Sequence, residues 1–153
     1  MKLSTRGRYG LRAMIFLAQH YGQGPIPLRR ISEKEDIPSS YLEQLLFLLR
    51  RGGLVKGVKG PQGGYLLSRS PRDITLGEII RLLEGPLHPV ECLWEGAPCQ
   101  QADFCVAREI WKKIELAIKD ILDSFTLEDM VSRLKQKSSR EEGEPHKEDI
   151  SRP

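Results

Sequence analysis

No stretch of this 153-residue chain approaches the roughly 18 consecutive apolar residues that a membrane-spanning helix needs. The N-terminus, MKLSTRGRYG, is charged and lacks the apolar core and small-residue cleavage site of a secretion signal. A cytoplasmic location is expected, with no membrane partner. The usual marks of an enzyme are missing too: there is no His-Glu-x-x-His, no phosphate loop opening a helix and no nucleophile–base pair. The one glycine-rich bend, GPQGG at 60–64, is followed by a strand pattern, which disfavours a nucleotide cradle. Neither catalysis nor a small-molecule substrate is expected. Paired Cys-x2-Cys spacing, the usual mark of zinc, is absent, and no internal repeat is seen.

What is present is ordinary in amount and uneven in placement. The chain is 39% hydrophobic and 29% charged, as globular proteins are, and long enough for one modest core or a small module plus a second helical one. Residues 1–70 hold 12 basic and 4 acidic side chains, a net +8, whereas residues 71–153 hold 12 and 17, a net −5. A basic half suggests a polyanionic partner; the alternative is a solvated face with none.

Ser4 and Thr5 suit a helix N-cap, and Tyr9, Leu11, Ala13, Met14, Phe16, Leu17 and Ala18 follow at helical spacing. Glycines 22 and 24 and Pro25 end that helix. A short helix begins after Pro27 and is interrupted at Asp36-Ile37-Pro38. Ser39 or Ser40 then opens a third helix, with Glu43 placed to complete a capping box and Leu42, Leu45, Leu46 and Leu49 as its buried stripe. Two strands, 54–59 and 65–68, flank the GPQGG bend, and a fourth helix runs from Thr75 to Gly85. Residues 86–104 read as irregular, and an irregular segment of this length is usually functional. A long amphipathic helix is expected from about 103 to 125, with Ile110, Trp111, Ile114, Ile118, Ile121 and Leu122 on one wide face suited to pairing with a second copy; an ordinary core helix is the rival. A short helix over 127–134 closes the fold, and the polar run from 136 onward reads as disordered.

Helix, short helix, turn, helix and glycine-tipped hairpin is the order of a winged helix-turn-helix. In that arrangement the third helix enters the major groove and presents Ser39, Ser40, Tyr41, Glu43 and Gln44 near its N-terminal end. Gln44 has the groups to pair with adenine, and Glu43 to accept from cytosine N4–H₂. Glu43 also repels phosphate, so it penalises wrong sequences. The plainer reading makes it only a cap. Lys56 and Lys59 bring charge to the hairpin, while the backbone N–H groups at Gly63 and Gly64 could meet phosphate. Arg6, Arg8 and Arg12 are candidates for phosphate contacts from the first helix.

All three cysteines fall within PVECLWEGAPCQQADFCVAREIW, spaced Cys92-x6-Cys99-x5-Cys105. An odd count in one short loop argues against structural disulfides. Three thiolates suit an iron–sulfur cluster, which takes four ligands and tolerates an outside one; a thiol redox switch and inert cysteines stay open beside it.

Together STRGRYGLRAM, PSSYLEQLLFLLRRGGLV, VKGPQGGYLL and the three-cysteine loop resemble the Rrf family of winged-helix transcription regulators over residues 1 to about 135, and within it the IscR-like branch that senses iron–sulfur clusters. The resemblance implies a mainly α fold with a small β-hairpin wing: a DNA-binding module over 1–84, a cluster-binding loop over 85–104, a dimerisation helix and short C-terminal helix over 103–135, and a disordered tail over 136–153. It implies a homodimer on palindromic double-stranded operator DNA, a labile [2Fe–2S] cluster on Cys92, Cys99 and Cys105, a part for Glu43 in discriminating between DNA sequences, and control of cluster-biogenesis genes. A cluster-free regulator of the same fold, responding to redox or sulfur metabolites through its thiols, is the alternative.

Four features depart from the patterns of such relatives. Lys59 stands where the nearest relatives have arginine, keeping the charge but losing the fork. The first cysteine gap is one residue longer than usual. Where IscR-like proteins place a histidine ligand, three residues after the third cysteine, this chain has Arg108, and where nitric-oxide-sensing relatives use a carboxylate from the partner it has Arg8. The fourth ligand is open among His88, Glu91, Asp103 and Glu109; His88 has the best chemistry, and its plainer reading is an exposed loop histidine.

Overall fold

The spacing of small and apolar residues after Ser4 produces helix α1, Thr5–Gln19, which buries Ala13, Met14, Phe16, Leu17 and Ala18. The computed structural model describes residues 2–97 and 99–141. Ser4 holds the N-cap position, but its hydroxyl does not cap its own helix. Glu84, from the end of a later helix, does that work instead. Its carboxylate accepts from the Ser4 N–H at 2.8 Å, the Ser4 hydroxyl at 2.6 Å and the Gly7 N–H at 3.0 Å. A carboxylate at a helix N-terminus answers both the orphan N–H groups and the positive end of the dipole. Gly7 lets it approach, since a Cβ there would strike the carboxylate.

Burial opposes ionisation of Glu84, but the bonds from Ser4 and Gly7 and the nearby Arg6 charge outweigh it and hold the carboxyl below its usual value. A lowered folded-state value means stability that is present above the unfolded value and lost as pH falls through the folded one. Glu84→Gln should therefore lower the melting temperature at pH 7 by roughly 3 °C, the effect of losing a cap worth about 1 kcal/mol. The gap to the parent protein should close as pH is lowered below the ordinary glutamate value and the carboxyl becomes protonated in the folded state too. A pH-independent gap in thermal melts would refute this account of the clasp.

Helix α2, Leu28–Glu35, ends at Asp36 in the left-handed conformation, φ 50° and ψ 52°, which aspartate tolerates better than most residues. The turn to α3, Ser39–Arg51, is fixed by buried Ile37 and by Ser32, whose carbonyl accepts from the Ile37 N–H at 3.1 Å and whose hydroxyl donates to the Ile37 carbonyl at 2.6 Å. The capping box expected at Ser39 or Ser40 with Glu43 does not form. Pro38 is the N-cap, and the Ser39 hydroxyl turns back to Ser32 at 3.0 Å. Leu42, Leu45, Leu46 and Leu49 are buried as expected, each burial contributing about 1.5–3 kcal/mol.

Strands β1, Val55–Val58, and β2, Gly64–Leu67, pair antiparallel with Val55 opposite Leu67 and Val58 opposite Gly64. Ile26 and Tyr65 exchange backbone hydrogen bonds at 2.9 and 2.8 Å, which ties the hairpin to the segment before α2. Gly64, at φ 151°, permits this, because a Cβ would run into the Ile26 carbonyl.

A reciprocal Thr75–Glu78 capping box opens α4, Leu76–Glu84. A single 3₁₀ turn, Glu91–Leu93, interrupts the irregular segment that follows. Helix α5, Val106–Ser124, starts three residues later than the pattern suggested and buries none of its residues fully. It lies along α4 with an Arg81–Asp123 ion pair at 2.8 Å. The base of this helical hairpin is clasped by the Leu76 N–H donating to the Phe125 carbonyl at 2.8 Å and the Leu127 N–H to the Ile74 carbonyl at 3.0 Å.

Helix α6, Leu127–Glu141, packs on α1 and places Leu127 in the core. It runs past the expected end at 134, so residues 136–141 are helical rather than disordered. Gln136, Lys137 and Arg140 are good helix formers, and the Ser138 and Ser139 hydroxyls donate to the Leu134 and Lys135 carbonyls. The rest of the expected tail, 142–153, lies outside the described residues.

Candidate nucleic-acid interface and cysteine loop

Burying Leu42, Leu45, Leu46 and Leu49 obliges α3 to turn its other face outward. Ser39, Ser40, Glu43 and Gln44 are exposed there. Tyr41, expected outside, is half-buried: its ring meets Tyr9 edge-on, 6.1 Å between centroids, on the flank of the core. The outer face continues beyond the expected residues through Phe47, Arg50 and Arg51, all exposed. Their positions three and four residues on from Glu43, Gln44 and Phe47 were the available signal, hidden in the leucine-rich run LEQLLFLLRR.

The hairpin stands beside this face. The hairpin, from Gly57 to Tyr65, lines a groove of about 410 Å³ with Pro27 and Leu28 at the start of α2 and with Arg50 from α3. Lys56 and Lys59 are exposed on the hairpin. The Gly63 N–H donates to the Gly60 carbonyl at 3.0 Å inside the bend, so it is already used. On α1, Arg6 donates to the Leu83 carbonyl at 3.3 Å, Arg8 to the Thr5 hydroxyl at 3.3 Å, and Arg12 pairs with Glu35 at 3.2 Å while lying over the Tyr9 ring. All three remain exposed at the surface.

The cysteine loop sits at the far end of the α4–α5 hairpin. Cys92 lies in the 3₁₀ turn and is half-buried, Cys99 is exposed, and Cys105 is the half-buried residue that precedes α5. Arg108 donates to the Cys92 carbonyl at 3.4 Å, which joins the loop to the first turn of α5. His88 pairs through Nδ1 with the Glu115 carboxylate, so one of its two ring nitrogens is engaged. Among the described residues no three His, Cys, Asp or Glu side chains converge as a metal set. By donor chemistry alone the three soft thiols are of the kind a cluster takes and Arg108 offers no lone pair, but the three thiols are not gathered into one set in this structure.

On either side of Cys105, Phe104 is 91% exposed and Val106 71%, and α5 continues with Ile110, Trp111, Ile114 and Ile121 at 38–58%. Ile118 and Leu122 are half-buried and line a cleft against Arg81 and Leu87. Among the described residues no helix is long and apolar enough to cross a membrane.

A helix-turn-helix whose third helix is flanked by a cationic two-stranded hairpin defines a winged-helix DNA-binding protein. The family described as "Rrf2: Iron-dependent Transcriptional regulator" matches residues 3–133. The chain belongs to that family and is a transcription regulator of the Rrf2 type, not an enzyme. It is 48% identical over 132 residues to the HTH-type transcriptional regulator CymR of Bacillus subtilis, covering 86% of this chain and 91% of that one. The solved structure of CymR (YrzC), described as the global cysteine regulator of B. subtilis, superposes with a TM-score of 0.75 at 47% identity, over 87% of this chain and 98% of that one. The solved structure of T. potens IscR gives 0.75 at 45% identity over 90% of each chain. IscR of Pectobacterium carotovorum is 39% identical over 86% of this chain and 80% of its own. The expected resemblance to IscR-like proteins is thus joined by one to CymR, which is higher in identity among the curated relatives, 48% against 39%, and similar among the solved structures, 47% against 45%.

Proposed function

We propose that this protein is a cytoplasmic, homodimeric regulator that grips palindromic operator DNA through α3 and the hairpin and takes its signal from the cysteine loop. The observation that carries the reading is the exposed face of α3, opposite four buried leucines and alongside a cationic wing. Gln44 and Glu43 read base edges, Ser39 and Ser40 meet the backbone near the helix N-terminus, and Lys56, Lys59 and Arg8 meet phosphate. Tyr41 holds the helix against α1 through Tyr9. The exposed isoleucines of α5 support pairing with a second copy, which would set two α3 helices about one DNA turn apart.

Cys92, Cys99 and Cys105 would hold a [2Fe–2S] cluster as thiolates, and such a cluster supplies a charge and occupancy that change with iron supply or oxidation. Control of cluster-biogenesis genes is the matching role. A second reading is direct sensing of oxidants or sulfur metabolites by the thiols. It is favoured by exposed Cys99, by Arg108 at the fourth-ligand position and by the likeness to CymR, itself described as a cysteine regulator.

One experiment separates the two. Protein isolated anaerobically is assayed for visible absorption and iron, then titrated over a salt series with a duplex that it selects from a random pool. A brown protein with about two irons per chain supports the cluster; a colourless one with full DNA binding supports the thiol reading. Under both, log K should fall with log salt by about 0.9 per phosphate contact. Shallow, sequence-blind binding would overturn both.

A further inference from the structure

Phe47 is the anomaly on the outer face of α3. It is 48% exposed and sits at the middle of a stripe that is otherwise polar or charged, with Glu43 and Gln44 one turn before it and Arg50 and Arg51 one turn after. The inward leucines leave it no place in the core. Both guanidiniums lie against its ring, Arg51 at 5.8 Å from the centroid and Arg50 at 5.9 Å. These contacts hold the ring in place, while the outer edges of both arginines remain exposed.

From this placement we infer that Phe47 is a specificity-determining residue that seats against the 5-methyl group of a thymine in the major groove. The inference rests on the DNA-binding reading above. A helix advances about 5.4 Å per turn, which carries Phe47 one to two base pairs beyond the bases within reach of Gln44. Among the features a base edge offers there, only the thymine methyl is apolar, and phenylalanine is suited to it. The two flanking arginines are suited to the phosphates on either side, so an apolar group can be carried into a polyanionic groove without losing charge complementarity. Glu43 and Gln44 read by hydrogen bonding, Glu43 also by repulsion of phosphate; Phe47 adds an apolar contact to the same helix.

The test is a uracil scan of the duplex that the protein selects from a random pool. Each thymine is replaced in turn by deoxyuridine, which removes one methyl and leaves every hydrogen bond in place. The expected result is one symmetry-related pair of positions at which affinity falls about fourfold per half-site, the effect of one buried methyl, and about fifteenfold with both replaced. Phe47→Ser should bind the thymine and uracil duplexes equally at that pair, Phe47→Leu should keep the difference, and neither should shift the thermal melt, since the side chain is exposed. A flat scan, an undiminished thymine preference in Phe47→Ser, or a change of oligomeric state in that variant would overturn the inference while leaving DNA binding intact. A protein that selects no duplex would overturn the inference together with the reading beneath it.

Discussion

A protein carrying Ile114→Glu and Ile121→Glu is expected to sediment as a monomer and to bind its palindromic duplex at least a hundredfold more weakly than the parent. Both side chains are exposed on α5, at 38% and 58%, and no residue of that helix is fully buried. Within one chain these changes should therefore be nearly neutral, and glutamate is a good helix former. Between two chains they set like charges into an apolar seam. Once the seam opens, each winged module meets its half-site alone, and the advantage of two linked sites, typically 10² to 10⁴, is lost. Analytical ultracentrifugation and DNA titration on the same samples check both parts. A variant that stays dimeric would remove α5 from the proposed interface.

The second large effect concerns stability. Leu46→Ala should destabilise the fold by about 2–5 kcal/mol, because the leucine is fully buried and truncation leaves a cavity in the hydrophobic core. Against a total of roughly 5–15 kcal/mol this is a large fraction. The measurement is a urea midpoint, which should fall with the slope unchanged. Ser40→Ala, six residues earlier on the exposed face, should move it by less than about 0.5 kcal/mol while still altering DNA binding. Equal losses for the two variants would contradict the division of α3 into a packed and a presented face.

That division was legible in the sequence because leucines at 42, 45, 46 and 49 admit only one helical orientation. The hairpin was legible from GPQGG between two short apolar runs, and α5 from its isoleucines. Signals that depend on distant partners were not. The pattern Ser-x-x-Glu at 40–43 suits a capping box, but Pro38 already fills the N-cap position and the Ser39 hydroxyl finds Ser32. The box forms at Thr75–Glu78, and the same reciprocal pairing recurs at Thr126–Asp129. The cap on α1 comes from Glu84, 80 residues from Ser4, and no local pattern reports it. Helix α6 outran its expected end because the amphipathic signal stops at Leu134 while helix-forming residues continue. Phe47 was hidden because in LLFLL every residue looks like core until the phase of the helix is fixed. The module assigned to 1–84 also draws Leu127 and Val131 from beyond α5 into its packing, a long-range contact that composition does not reveal.

The two hydrogen bonds that clasp residues 74–76 to 125–127 make the α4–α5 arm an insertion with a closed foot, since the chain leaves the module and returns to it at the same place. Whatever is spliced in at the outer end of such an arm is invisible to its base. Doubling the length of a flexible connection costs only about 0.6 kcal/mol in closure entropy. Cys92, Cys99 and Cys105 all lie at that outer end, away from the clasped foot. A change of length in the cysteine loop is therefore expected to leave the foot of the arm and the packing of the helices beneath it undisturbed.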